Sequence, residues 1–288
     1  MGAIITIHSY KGGTGKTFAA IGIAHALAQL GKKVALIDFD VRGPSLWFAY
    51  NLRKSPKWTN DYLNGKCSMK SVLVDVSEKY QLKGQLFVAP ANFGIEAVRD
   101  MSAKTRVWEM RALGRMLSLR NTLLHDLQFD YLIFDACSGM QYSSINAIVT
   151  ADVVIVVNTT DPAHIEGTQL MLNELYDLFH KKTGLLINKV PRKDRALAEV
   201  EAEKSSEFEK MFDLPVLGVI PCSCDMMENG LSPFNLQKKT NKLYREIMNE
   251  IALRIIPFTS GDLVTPKDSE LIRIYKEKFL KKVTGVFM

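Results

Sequence analysis

The chain has 288 residues, of which 47% are hydrophobic and 24% charged, and its formal net charge at pH 7 is +6. This is the composition of a soluble globular protein, long enough for one large or two smaller α/β domains. The longest apolar runs span about six residues, which excludes a membrane-spanning helix, and we expect no signal peptide because a basic region and a cleavage site are absent. The four cysteines include no C-x-x-C pair, which disfavours a zinc or thioredoxin-type site and predicts a cytosolic protein with reduced thiols.

The most informative segment is a glycine-rich loop between a predicted strand, residues 3–7, and a predicted helix of small residues. This order is typical of a P-loop, in which glycines turn backbone amides towards a phosphate and the helix N-terminus attracts it. The strict pattern requires a glycine at Tyr10, so the loop is a variant. We assign Lys16 to the β and γ phosphates and Thr17 to Mg²⁺. The predicted nucleotide-binding residues of this segment are Gly12, Gly13, Thr14, Gly15, Lys16, Thr17 and Phe18.

A second lysine, Lys11, opens the loop and makes its pattern K-G-G-x-G-K-T. This pattern resembles the deviant Walker A loop of the MinD/ParA family of ATPases. In that family the additional lysine contacts the nucleotide of a partner subunit. The resemblance therefore implies a catalytic role for Lys11 in an ATP-dependent homodimer, whereas the spacing alone leaves open a solvated lysine beside the loop.

Two aspartates follow the next predicted strand, residues 34–37, whose apolar run is typical of a strand buried on both faces of a parallel sheet. Asp38 and Asp40 are therefore predicted at a carboxyl end, where doubly wound sheets bind their ligands. Their carboxylates suit two roles, which are to hold hydrated Mg²⁺ and orient an attacking water, or to cap a helix. The resemblance implies that Asp38 lies on the Mg²⁺ side and that Asp40 is the hydrolytic residue. Residues 42–46 are predicted to form a switch-like loop.

A third acid, Asp135, ends a predicted strand of the Walker B form and is expected to bind Mg²⁺ through water. Gly139, four residues later, is placed to donate its amide to the γ-phosphate. The family has D-x-P-x-G here, and this chain has Cys137 where the proline is expected. The segment 103–127, which precedes this strand, is predicted to be mostly helical with a break or bend near Gly114. Further strands are predicted at residues 85–90, 131–135, 153–158, 185–189 and 214–221.

The strand at residues 185–189 ends in Asn188 and Lys189. GTP-binding folds continue this pattern as N-K-x-D, and that aspartate pairs with guanine. Pro191 stands at its position, which favours ATP over GTP. The resemblance agrees, because Asn188 falls where the family has an asparagine that contacts adenine. The backbone after Pro221 is expected to border the same base.

Two surfaces are candidates for partners outside the nucleotide site. Four basic residues at the start of a predicted helix suit either contact with DNA phosphates or a solvated face. Residues 269–287 are predicted to form an amphipathic helix, which suits a membrane interface, packing on the domain or docking a protein partner. Its position resembles that of the membrane-targeting helix of MinD. The basic residues are Lys238, Lys239, Lys242 and Arg245, and the residues assigned to a membrane are Ile272, Phe279, Leu280, Lys281 and Lys282.

The sequence thus predicts one doubly wound α/β domain with a mainly parallel sheet and helices on both faces, residues 1–256, followed by a linker and the amphipathic helix, residues 257–288. The resemblance implies an ATPase that uses ATP and Mg²⁺, dimerises on ATP, responds to an activating protein partner and associates reversibly with the inner face of the cell membrane from the cytoplasm. The alternatives are a ParA-like ATPase that binds DNA without sequence preference, or a nucleotide switch that docks a protein through its C-terminal helix.

Overall fold

An eight-stranded sheet with the order β3-β4-β2-β5-β1-β6-β7-β8 forms the centre of the molecule. The computed structural model describes residues 2–176, 178–192, 195–222 and 242–261, together with Arg273. The neighbouring strands are parallel, except that β3 and β4 are antiparallel. The strands are β1 (Ala3–His8), β2 (Lys33–Asp38), β3 (Val74–Asp75), β4 (Gln85–Ala89), β5 (Tyr131–Asp135), β6 (Val153–Asn158), β7 (Lys182–Val190) and β8 (Val216–Pro221).

Helices cover both faces of the sheet, as predicted for a doubly wound fold. They are α1 (Lys16–Gln29), α2 (Leu46–Ala49), α3 (Thr59–Leu63), α4 (Ile95–Ser102), α5 (Arg106–Leu119), α6 (Tyr142–Thr150), α7 (Pro162–Met171), α8 (Leu197–Phe212) and α9 (Lys242–Ser260) in the part of the chain that the structure describes. A 3-10 turn spans Met69–Ser71, and π-helical turns span Arg120–Asp126 and Leu172–Tyr176. No described helix is long and apolar enough to cross a membrane.

The core consists of two apolar layers, one on each face of the sheet. Successive strand residues point to opposite faces, so Ile4 packs in the layer with α5 and α6, whereas Ile5 packs in the layer with α1 and α9. All six residues of β1 are buried, which explains why the central strands are continuous apolar runs rather than alternating ones.

The helices differ from the prediction in two places, one where a break was expected and one where a helix was expected to end. Gly114 lies inside α5 without a break, and the irregularity comes later, where the α-helix continues as the π-helical turn Arg120–Asp126. The second difference is at Pro257, where a linker was predicted to begin. That prediction is wrong for the first four residues, because α9 continues through Pro257 to Ser260. Buried Thr259 donates to the carbonyl of Ile255 at 3.0 Å and keeps the last turn attached. The division into two segments stays a prediction.

Candidate active site

The parallel strands bring the predicted acids to one edge of the sheet, beside the glycine loop. Asp135 at the end of β5 is in register with Asp38 on β2 and with Ile7 on β1, the strand that enters the loop. Lys16 is the first residue of α1 and only 7% exposed. The N-cap of α1 is Gly15, which has no side chain to bind the first amides of the helix, so an anion can bind these amides. The site therefore combines a phosphate-binding helix terminus with buried carboxylates.

Asn188 holds the glycine loop in place from the end of β7. Its side-chain amide donates to the carbonyl of Thr14 at 2.7 Å, and its Oδ1 accepts the amide of Lys189 at 2.9 Å. Gly15 has a φ of +93°, and a Cβ added there would clash with the Asn188 side chain. Asn188 is buried within the site region, and its role as an adenine contact stays a prediction, as does that of Pro221 at the end of β8.

A Gly15→Ala change should destabilise the protein by about 1–3 kcal/mol, because alanine tolerates a positive φ poorly and its methyl group displaces Asn188. Gly114→Ala is the matched control, since no side chain of the described residues lies within 4 Å of a Cβ there. In a helix interior this change should stabilise by roughly 0.5–1 kcal/mol. Urea unfolding measures the change in the free energy of unfolding for both variants. Equal midpoints for Gly15→Ala and the wild-type chain would contradict the predicted strain at Gly15.

The two acids at the strand ends have different surroundings. Asp38 accepts backbone amides from Asp40 at 3.1 Å, Ser45 at 3.2 Å and Leu46 at 3.1 Å, so it caps α2 as well as facing the site. Among the described residues, neither oxygen of Asp135 has a hydrogen-bond partner of standard geometry, and both are buried. Asp135 is therefore the acid with free ligand positions.

Burial and mutual repulsion destabilise the charged forms of these carboxylates. Burial, followed by the charges of Asp135 and Asp40, raises the pKa of Asp38 well above its usual range. Burial raises the pKa of Asp135 to about 7, with a smaller rise from Asp40, while the Thr17 hydroxyl and Lys16 lower it. A divalent cation would relieve this repulsion, and oxygen ligands are those that Mg²⁺ prefers. With the Thr17 hydroxyl also at the site, the residues fit Mg²⁺.

Ser45 falls within the predicted switch-like loop, residues 42–46, but was not itself predicted as a site residue. Its hydroxyl lies 3.2 Å from that of Thr17, and its amide binds Asp38. It is separated from Thr17 by 28 positions. Its position in the loop after Asp40 was the available signal.

The loop after β5 is fixed to the start of the glycine loop. Gly139 has a φ of +75°, and its amide donates to the carbonyl of Ser9 at 2.9 Å. Its carbonyl accepts His8 Nε2 at 3.0 Å. Cys137, in the position of the family's proline, is buried and donates its thiol to the carbonyl of Phe39 at 3.5 Å. Burial raises the pKa of this thiol, which is therefore neutral.

His8 is a second residue that sequence reasoning missed. Burial, with a smaller contribution from Lys16, lowers its pKa to about 3, against the effect of its bond to Gly139, so the ring is neutral near pH 7. Nε2 donates to Gly139, and Nδ1 therefore accepts the hydroxyl of Tyr176, at 2.5 Å. No motif marks such a histidine, because its partners are 131 and 168 positions away.

The remaining assigned residues divide between the site and the surface. Lys11 is exposed, with its ammonium 5.8 Å from the ring centre of Tyr10. Phe18 packs on Tyr244 of α9, with ring centres 4.3 Å apart. The membrane residues Ile272, Phe279, Leu280, Lys281 and Lys282, and the basic residues Lys238 and Lys239, lie outside the described residues.

Comparison with known proteins agrees with this architecture. Residues 2–189 match the family profile described as an AAA domain. The sequence is 29% identical to the septum site-determining protein MinD of Thermotoga maritima, over 99% of this chain and 100% of that protein. The fold is similar to MinD of Pyrococcus horikoshii in complex with Mg-ADP, with a TM-score of 0.70, 19% identity and coverage of 93% of this chain and 100% of that one. It is also similar to the MinC:MinD cell division protein complex of Aquifex aeolicus, with a TM-score of 0.67, 20% identity and coverage of 89% and 96%.

The matched residues include the glycine loop and the three aspartates of the site, Asp38, Asp40 and Asp135. The structural likenesses show the fold, a mainly parallel sheet with helices on both faces, and confirm the predicted fold class. The profile covers well over half of the 288 residues, and the full-length relative confirms the family that the glycine loop predicted. The chain belongs to the MinD/ParA family of P-loop ATPases.

Proposed function

We propose that this chain is an ATP-hydrolysing dimerisation switch of the MinD type, which positions cellular machinery at a membrane surface. One observation carries the proposal. Lys16, Asp38 and Asp135 are buried together at one edge of the sheet, while Lys11 of the same glycine loop is exposed. This arrangement supports a triphosphate site within one chain and a lysine that is available to a second.

The reaction is an in-line attack of water on the γ-phosphate of ATP. Lys16 and the amides at the start of α1 neutralise charge on the β and γ phosphate oxygens. Asp40 positions the attacking water. Gly139 exchanges its hydrogen bond with Ser9 for one with the γ-phosphate, which makes its loop sensitive to the bound nucleotide. Adenine is the preferred base, because the aspartate that reads guanine is absent after Asn188.

Mg²⁺ supplies electrostatic stabilisation of the transferring phosphate when it is bound. The Thr17 hydroxyl and the Asp135 carboxylate would hold it, the latter through water. Asp38 would contribute negative charge from outside the shell of direct Mg²⁺ ligands, because backbone amides already occupy its oxygens.

The exposed position of Lys11 supports the proposal of ATP-dependent dimerisation. A bound triphosphate places several negative charges near the mouth of the site, and a lysine from a second copy complements them. The attraction falls when the γ-phosphate is lost. The dimer therefore forms in ATP and separates after hydrolysis.

The C-terminal helix is the proposed membrane anchor. Basic residues outnumber acidic ones by three between residues 269 and 287, which contributes roughly 3 kcal/mol at an anionic surface. Partly inserted apolar side chains add to this, at ~1.5–3 kcal/mol each for full burial. Ordering a dozen residues costs about 1 kcal/mol each, so one helix binds marginally. Two helices on one dimer bind together, which ties attachment to ATP.

Co-sedimentation with anionic liposomes tests this function. We expect the full chain to pellet in ATP and several-fold less in ADP, because only the dimer presents two helices. Deletion of residues 270–288 should prevent pelleting and leave ATP affinity unchanged. The control is a parallel experiment with neutral liposomes, which should retain less protein because the charge attraction is lost.

Two outcomes would favour other classes. Pelleting that is unaffected by the deletion would exclude the helix as anchor, and strong ATP-dependent binding to DNA would favour the ParA-like alternative, for which Lys242 and Arg245 of α9 are candidates. The solved MinC:MinD complex of Aquifex aeolicus supports the further proposal that this chain binds a protein partner that activates it.

A further inference from the structure

Arg42 joins three segments that are distant in the sequence. It follows Asp40 by two positions, and its guanidinium donates to the side-chain oxygen of Gln141. Its Nη2 also lies 3.7 Å from Glu109 Oε1 on α5. Gln141 follows Gly139 by two positions and directly precedes α6. One side chain therefore connects the loop after β2 with the loop after β5.

Glu109 is a fixed anchor for this arginine. Its side chain is only 3% exposed, and Asn146 of α6 donates to its Oε2 at 3.1 Å and to its backbone carbonyl at 3.0 Å. Burying a carboxylate without a partner is costly, so the contact with Arg42 compensates the buried charge. Burial raises the pKa of Glu109 to about 7, and Arg42 opposes that rise.

The turn that carries Asp40 encloses Arg42. The amide of Gly43 donates both to the backbone carbonyl of Asp40 and to its Oδ1, each at 3.1 Å. The orientation of the Asp40 carboxylate therefore depends on the position of a turn whose third residue is Arg42. A tether on Arg42 fixes that turn relative to α5 and to the Gly139 loop, residues 136–141.

We propose that Arg42 is a positioning residue for ATP hydrolysis, which holds the Asp40 turn against the Gly139 loop by binding Gln141 and Glu109. The inference rests on the proposed ATPase function. Both loops face the place of the γ-phosphate in that proposal, so a common tether keeps the water-positioning acid and the phosphate-sensing amide in one arrangement. Arg42 acts through Asp40 and does not itself contact the reacting atoms.

An Arg42→Gln variant should lower kcat about tenfold and change KM for ATP by less than about twofold, because misplacing a catalytic group affects the chemical step more than binding. Glu109→Gln, which keeps the size of the anchor and removes its charge, should lower kcat by a smaller factor. Arg106→Gln is the matched control. Arg106 lies on α5 and donates to the hydroxyl of Tyr142 at 3.1 Å, next to Gln141, and should retain wild-type kcat.

Amide hydrogen exchange without nucleotide tests the tether independently of turnover. Arg42→Gln should accelerate exchange at Gly139, whose amide is bonded to Ser9, by several-fold, and Arg106→Gln should not. Unchanged exchange in the Gly139 loop, or a kcat within twofold of the wild type, would overturn the inference. A wild-type chain that does not hydrolyse ATP would overturn the proposed function instead, and the exchange result would still decide whether the tether exists.

Discussion

Replacing Lys16 with alanine should weaken ATP binding or turnover by about 10²–10³-fold, the effect expected when one preorganised donor to a charged phosphate oxygen is removed. Lys16 is buried at the start of α1, and its charge lowers the pKa values of both Asp135 and His8, so it lies among the groups that form the site. Its loss would leave the neighbouring carboxylates to repel the triphosphate. Isothermal titration with ATP and a phosphate-release assay measure binding and turnover separately.

Two controls separate this effect from unfolding. Lys83→Ala removes a lysine just before β4, at the opposite edge of the sheet, and should leave both measurements unchanged. Asp40→Ala should retain ATP affinity and lose turnover by roughly 10²–10⁴-fold, since Asp40 acts on the attacking water rather than on the phosphates. A Lys16→Ala protein that binds and hydrolyses ATP like the wild type would contradict the assignment of the glycine loop.

The second large effect concerns Lys11, whose replacement by alanine should abolish ATP-dependent dimerisation and leave binding to the monomer within about threefold. Truncating one partner of a buried ammonium–phosphate contact across a subunit interface costs about 2–5 kcal/mol of binding free energy. This corresponds to a loss of roughly 30- to 5000-fold in dimer affinity. Lys11 is exposed, so the substitution should not change stability by more than about 0.5 kcal/mol. Equal dimerisation of the Lys11→Ala and parent proteins would exclude the intersubunit role.

Local patterns predicted the parts of the molecule that are contiguous in sequence. The apolar runs that became β2, β5 and β6 are buried on both faces, and such strands leave a continuous signal. The glycine loop was predictable for the same reason, since the strand, the turn and the helix follow one another. Asp38 and Asp135 were found because each ends such a strand.

Contacts between distant segments left no such signal. Two examples are the hydrogen bond between His8 and Gly139 and the ion pair between Arg42 and Glu109. In each pair, the local sequence around one residue does not indicate its partner. Glu109 is buried although Arg106 and Val107 just before it are exposed, and Asn146 of α6 binds its carboxylate. At Pro257 a local signal was present but gave a wrong prediction. Proline usually ends a helix, and here it is accommodated near the end of α9.

The most direct test of an ATP-driven dimerisation switch is the mass of the Asp40→Ala protein by multi-angle light scattering, because this variant should bind ATP without consuming it. One chain has a mass of 32.4 kDa. We expect about twice that mass in ATP and Mg²⁺, and the mass of one chain in ADP, with the doubling lost when Lys11→Ala is added. A protein that has the same mass in both nucleotides, whether monomer or dimer, would contradict the account.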